Sequence, residues 1–337
     1  EGALKNTSQI ITNMIAQCTK GANGDLTSSD REIILEQLKA LKEEIYSTAD
    51  VDYAGRYVFA GYRTDTSISF TTSQSIDYTI TEQLSNAAID SVTFIKTTAE
   101  TGGGNYVDIN DINSVNYDSI DVSKADVTQT DVHRIRLSYT ELSDGMVPAI
   151  TKVTGKDANG NITTQEVVPA SQIHTVNAGE IPSAYELAAE NPDDVYFIPE
   201  TGELILGENV YGQMMAFKDD ATTSTVNEGE IRITYQKEEW NKGDLRPEHY
   251  YACTTENAAG DVINYNQDYR GGSDVGRQVI EYDVGFNQTI RVNTTADECF
   301  NPAIGREVDD LVNVLNEVKS LEDVKNFANK YMDLSKS

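Results

Sequence analysis

Cysteine is scarce in this chain. The three present, Cys18, Cys253 and Cys299, are far apart and form no C-x-x-C pair. That spacing indicates neither a zinc site nor a disulfide framework. Cys18 instead falls on a helical apolar stripe, where a thiol reads as a small buried hydrophobe. Positive charge is also short: Lys and Arg number 26 against 55 Asp and Glu, a formal net charge of −29. Nucleic acid and anionic lipid both attract basic surface, so neither is expected as a partner. No apolar run approaches ~18 residues, the length a membrane-spanning helix needs. No cleavable leader is visible at the start. The chain opens at Glu1-Gly2 in a stretch that already reads as helix, and the expectation is that both ends are trimmed from a longer protein.

The motifs of common catalytic sites are missing as well. His133, His174 and His249 are isolated, with no H-E-x-x-H and no second ligand at helical spacing. There is no G-x-S-x-G elbow. Gly102-Gly103-Gly104 lacks the spacing of a dinucleotide fingerprint, and Gly155-Lys156 is followed by Asp157 where a P-loop needs Ser or Thr. Asn241-Lys242-Gly243-Asp244 fits a guanine-reading tetrapeptide but has no P-loop to serve. Asp108-Ile109-Asn110-Asp111 lacks the glycine of an EF-hand loop and reads as a solvated acidic loop. Fifty-five acids offer many carboxylate pairs of glycosidase type, and nothing singles one out. No catalytic residue, cofactor or metal site is therefore assigned, and the expectation is a protein that is not an enzyme. Eighteen tyrosines suit exposed β-sheet, or sugar-binding platforms in an adhesin-like alternative.

What is present is organised around residues 28–61. Ser29 followed by Glu32 is a capping-box pattern, with Asp30 and Glu32 at the positive end of the helix dipole. Ile34, Leu38, Leu41 and Ile45 then recur at 4, 3, 4 spacing, one stripe suited to a partner helix. An earlier helix carries Ile11, Met14 and Cys18 and ends at Gly21. The two helices read either as an antiparallel pair or as consecutive stretches of a longer rod. Gly55-Arg56-Tyr57-Val58-Phe59-Ala60-Gly61 switches to aromatic and β-branched residues between glycines, a strand signal. With Ile68 and Phe70 beyond Thr64-Asp65-Thr66, it predicts a hairpin, with Gly55, Tyr57, Phe59, Gly61 and Phe70 as packing positions.

From about residue 71 the apolar residues alternate. Strands are predicted at 134–139, 195–198, 203–206 and 230–235, a turn at 156–161, and one short helix at 183–190. Near the C-terminus Ile280, Tyr282 and Val284 alternate, as do Ile290 and Val292 after a Gly285-Phe286-Asn287 turn. Helical spacing then returns through Ile304, Val308, Leu311, Leu315 and Val318. Ser320 caps a further stripe of Leu321, Val324, Ala328 and Tyr331. The predicted fold class is α+β and multidomain. Residues 1–70 with 275–337 form a helical rod or bundle with side β-hairpins, since a stripe at each terminus needs a partner. Residues 71–274 form a mainly β insertion in one or two pieces.

These stretches resemble a bacterial flagellar family. Gln17-Cys18 through Arg31 resembles a segment shared by flagellins and the type 3 hook-associated proteins. The Gly55–Gly61 run with Thr64-Asp65-Thr66 and Phe70 is similar to the hook–filament junction members, G-R-Y-x-F-[SA]-G…T-D-T…P-F, with Ser69 in place of the usual proline. Ile280–Gly285 and Ile290–Asn293 resemble the strand pair before the family's C-terminal helices. The resemblance implies a flagellin-like rod of terminal helices and an exported, extracellular structural subunit of the flagellum. It implies self-assembly into a ring between the hook-side junction protein and flagellin or filament cap-side subunits. An export chaperone, passage through the flagellar type III apparatus and no cofactor are also implied. The trimmed chain would be monomeric in solution. A flagellin-type filament subunit is the alternative within the same class.

Overall fold

A computed structural model of the chain describes residues 2–21, 26–101, 106–108, 120–158, 161–217, 230–267 and 278–312. Its residues cluster into two compact units. The first comprises Glu1–Ser75, Trp240–Tyr250 and Gly276–Ser337; the second comprises Ile76–Glu239 and Tyr251–Val275. The stretch 240–250, placed in the β insertion by sequence texture, thus clusters with the terminal segments.

The first unit opens with α1 (Gly2–Gly21) and α2 (Ser28–Ala49). The cap of α2 lies two residues upstream of the expected Ser29–Glu32 pair. Thr27 Oγ1 accepts from the Asp30 N–H, and Asp30 Oδ2 accepts from the Thr27 N–H. The same S/T-x-x-acid logic holds with Thr and Asp as the pair. The two helices are antiparallel and do not run on as one rod. Asn6 Nδ2 donates to Thr48 Oγ1 at 3.4 Å, while at the other end Gly21 lies against Ile34. Folding back lets Ile10 and Met14 bury beside Ile34, Leu38 and Ile45, whereas a continuous rod would leave both stripes to be covered separately.

Next come β1 (Asp52–Tyr53) and β2 (Arg56–Tyr57), a short ribbon with Asp52 opposite Tyr57. Its two-residue turn, Ala54-Gly55, has both φ values positive, the condition of a type I′ hairpin. The expected longer strand over 55–61 is therefore only Arg56–Tyr57. Ile68 and Phe70 do not pair with it; Ser69 bridges Leu245 instead. The unit also holds β15 (Glu281–Gly285) and β16 (Gln288–Arg291), an antiparallel hairpin. Short α5 (Ala296–Cys299) follows, then a helix, α6, over residues 302–312.

The second unit is built on two six-stranded sheets. One has β3 (Gln74–Leu84), β7 (Ala149–Lys156), β8 (Ile162–Val168), β12 (Ile231–Trp240), β13 (Ala252–Glu256) and β14 (Val262–Tyr265), in the order β14-β13-β3-β12-β7-β8. The other contains β4 (Ile89–Thr101), β5 (Tyr106–Asp108), β6 (Ile120–Arg136), β9 (Ile173–Thr175), β10 (Val195–Ile198) and β11 (Glu203–Leu206), in the order β5-β4-β6-β11-β10-β9. The predicted 195–206 hairpin is β10–β11, with Val195 opposite Leu206. The predicted short helix is α3 (Ala184–Glu190), capped by Ser183 and Glu186. Its Ala184 and Ala188 pack on Val132, Val176, Tyr196, Ile198 and Ile205. A second helix, α4 (Glu208–Met215), follows β11. The strand expected over 134–139 ends at Arg136, and Leu137 and Tyr139 are buried beyond its end.

Candidate functional site

Among the described residues, metal-ligating side chains do not gather. Among the described residues no group of three or more His, Cys, Asp or Glu is placed to hold a metal. All three cysteines are free thiols. His133 stacks on Tyr211 with ring centroids 3.4 Å apart, and His174 Nε2 lies 3.4 Å from Asp194. Asn241–Asp244 closes a turn, the Asn241 N–H donating to Asp244 Oδ2 and the Asp244 N–H to the Asn241 carbonyl. The feature on which residues from distant parts of the sequence converge is a packing junction in the first unit.

Three segments meet there. At the end of α2, Asp50 Oδ1 accepts from the Ile68 and Ser69 N–H groups at 2.6 and 3.0 Å, and the Ser69 hydroxyl donates to Asp50 Oδ2. Residues 68–70 then run beside 243–246. Phe70 N–H donates to Asp244, Gly243 N–H to Phe70, and Arg246 N–H to Ile68, each at 2.8 Å. Phe70 stacks on Trp240 at 4.8 Å, with the Arg246 guanidinium 4.5 Å from its ring. His249 Nε2 lies 2.9 Å from the Ser67 carbonyl, which can only accept, so that nitrogen carries the proton.

The Gly55–Gly61 stretch meets the residues around the C-terminal strand pair. Phe59 sits edge-on to Phe300 at 5.0 Å, and the Phe59 carbonyl accepts from the Ala296 N–H. Gly61 has a positive φ of 61°, and a Cβ there would lie 2.5 Å from Gln278 Cβ, so glycine is required twice over. Gln278 Oε1 accepts from the Tyr62 N–H, while Asn293 bridges Gln278 and Ile280 through both ends of its amide. Finally α6 lies against α2. Tyr46 Oη accepts from the Gly305 N–H at 2.8 Å, and Lys42 Nζ lies 2.6 Å from Asp309. Gly305 again has no room for a side chain, since a Cβ would lie 2.6 Å from Tyr46 Oη. Burial pushes the Tyr46 phenol well above its ordinary value.

The packing positions read from sequence fall into three groups. Met14, Ile34, Leu38, Ile45, Phe59, Gly61, Phe70 and Val308 are buried. Ile11, Leu41, Tyr57 and Leu311 are half-buried. Cys18, Gly55, Ile290 and Val292 are not core residues. Cys18 is exposed because the i, i+4 steps from Ile10 through Met14 each turn the stripe by about 40°, carrying it off the face turned to α2. Gly55 is exposed in the ribbon turn, where its positive φ of 77° explains it. Ile290 and Val292 lie on an open hairpin face. Leu315 lies outside the described residues. The reading missed Trp240, Tyr46 and Phe300, all buried. Tyr46 follows Ile45, so a stripe widened by one position would have caught it. Nothing local to Trp240 marks it.

Phe59→Ala is expected to lower stability by about 3–5 kcal/mol, since the ring is buried against Phe300. Tyr57→Ala, at a half-buried position, costs less than half of that. Urea unfolding of the two variants checks the order.

Acid acts on the junction through two groups. Glu298 is held down to about 2, first by its hydrogen bonds from Arg291, whose two terminal nitrogens lie 2.7 and 2.6 Å from its oxygens. The folded carboxyl loses its proton more readily than the unfolded one, at 4.5. Its contribution is therefore complete above about 4.5 and lost as pH falls toward 2. His249 is held below 6.5, chiefly by burial, so the unfolded chain takes up a proton there before the folded one does. Stability from this source is complete above 6.5 and declines below it. Glu298→Gln is expected to flatten the fall of melting temperature between pH 4.5 and 2, and His249→Gln the fall just below pH 6.5; thermal melts across pH measure both.

The fold and this junction define a class: an α+β chain of two units whose distant N- and C-terminal segments are locked together by packing. Among solved structures the chain is similar to Xanthomonas campestris FlgL in two crystal forms. One shares 13% identity over 70% of this chain and 67% of that chain, with a TM-score of 0.23. The other shares 12% identity over 99% of this chain and 91% of that chain, also with a TM-score of 0.23. No protein-family description and no curated protein matches the sequence.

Proposed function

We propose that this chain is a structural subunit of the bacterial flagellum, of the type that joins hook to filament, and that it works by shape and not by catalysis. The observation that carries the reading is the meeting of its two resemblance-bearing stretches. Gly55–Gly61 packs on residues that flank the distant Ile280–Gly285 and Ile290–Asn293 pair, through Phe59 on Phe300 and Gly61 on Gln278. The α2–α6 contact at Tyr46–Gly305 supports it further, because a subunit of a tube needs its terminal helices side by side.

In this reading the partners are further copies in a ring, the hook-side junction protein and flagellin or filament cap-side subunits, with an export chaperone before assembly. The location is extracellular, reached through the flagellar type III apparatus. An antibody to this chain, viewed by negative stain on intact flagella, should label one narrow band beyond the hook. Deletion should leave hooks without filaments and flagellin in the medium. Label along the whole filament would make it a flagellin-type subunit, and no label on flagella would overturn the proposal.

A further inference from the structure

One crossing between the two sheets of the second unit is held by buried charge. Residues 137–148 carry the chain from β6, in one sheet, to β7, in the other. The first part of that crossing is bonded from both sides. Toward the turn between β10 and β11, the N–H groups of Leu137, Glu141 and Leu142 donate to the carbonyls of Gly202, Glu200 and Pro199 at 2.8, 3.0 and 2.9 Å. The approach is so close that a Cβ on Gly202 would overlap the Tyr139 carbonyl. Toward β3 and β12, Glu82 accepts from the Ser138 N–H and hydroxyl, each at 2.8 Å. Lys237 Nζ donates to the Thr140 and Glu141 carbonyls at 2.8 and 3.2 Å, and the Ser143 N–H donates to the Gln236 carbonyl at 2.9 Å. Glu141 thus gives its N–H to one sheet and its carbonyl to the other, at a positive φ of 52° that glutamate rarely adopts.

Glu82 and Lys237 are 1% and 2% exposed and stand on neighbouring strands. Lys237 shares the buried face of β12 with Tyr235, whose hydroxyl also donates to Glu82. A charge this deep is costly unless it is hydrogen-bonded in place. Apolar packing is non-directional, so greasy faces alone accept several neighbouring offsets of two sheets. A carboxylate and an ammonium aimed at named groups of 138–141 accept one, because any slide strands both charges. We propose that residues 137–142 are a clasp that sets the offset between the two sheets, with Glu82 and Lys237 as its positioning residues. Desolvation leaves such buried charges little net stability to contribute, and what they supply is a single arrangement. The inference concerns the second unit alone and does not rest on the flagellar reading.

The test reads the offset itself. Spin labels at Ser91→Cys on β4 and Glu256→Cys on β13, both exposed positions, put one probe on each sheet. Cys18→Ser and Cys299→Ser remove the other accessible thiols, and buried Cys253 stays. Double electron–electron resonance on the full chain should give one narrow distance. Lys237→Met keeps the apolar stem and loses the charge, and should add a second distance displaced by about 3–7 Å, one or two residues along a strand. Where Lys237→Met does not fold, Ser138→Ala takes one donor from Glu82 and should broaden the distance. Hydrogen exchange on the wild type should find 137–142 protected as strongly as β10 and β13. An unchanged distance in the folded variant would overturn the proposal. So would a broad distance in the wild type, or exchange at 137–142 faster than in the sheets.

Discussion

Phe70→Ala lowers the stability of the first unit by about 3–5 kcal/mol, the range for removing a fully buried ring. Phe70 has no exposed surface and lies between the Trp240 ring and the Arg246 guanidinium. Its backbone ties 68–70 to 243–246, so the cavity opens where two distant stretches are joined and neither can close it alone. Trp240 is the chain's one tryptophan and is 1% exposed, so its fluorescence reports on this site directly. The expected measurement is a urea midpoint shifted down in Trp emission, with a red-shifted folded-state spectrum as water reaches the indole. An unchanged midpoint would mean that the stack does not hold the unit together.

In the second unit, Glu82→Ala is expected to cost about 3–5 kcal/mol, because it strands several buried donors at once. Glu82 is 1% exposed. Its Oε1 accepts from the Ser138 N–H at 2.8 Å and from the Tyr235 hydroxyl, and its Oε2 accepts from the Ser138 hydroxyl at 2.8 Å. Since Ser138 Oγ donates to Glu82, the Tyr251 hydroxyl 2.6 Å away must donate to Ser138. Tyr235→Phe removes one donor and leaves the carboxylate its other partners, so it costs about 1–2 kcal/mol. A double-mutant cycle should show the two changes to be non-additive. Burial, and then the Glu82 charge, hold the Tyr235 phenol well above 10. The unfolded chain loses that proton first as pH rises past 10, so this phenol makes the unit less stable in alkali. Absorbance titration should find Tyr235 ionising only as the unit unfolds.

The core stripe of α2 was legible because helical spacing is local: Ile34, Leu38 and Ile45 recur within one element, and all are buried. The β10–β11 hairpin and α3 were legible for the same reason, since their turn and cap lie within a few residues of what they join. The reading misplaced what depends on choosing among equivalent local signals. Thr27–Asp30 and Ser29–Glu32 are both cap patterns, and chain entry into the helix selects the first. Ile68 and Phe70 alternate as a strand would, but the partner that satisfies their backbone groups is 243–246, which no local signal names.

The junction divides in the same way. Sequence by itself determined that helices bracket a β-rich middle, that strand structure begins within Gly55–Gly61, of which Arg56–Tyr57 is the part formed, and that no familiar catalytic motif is present. Tertiary structure decided that α1 folds back on α2, that Trp240–Tyr250 leaves the β insertion to stack on Phe70, and that Ile290 and Val292 face solvent instead of a core. The physical reason is that periodicity fixes which side of an element is apolar, whereas what covers that side depends on long-range contacts whose loop-closure entropy and packing fit are properties of the whole chain.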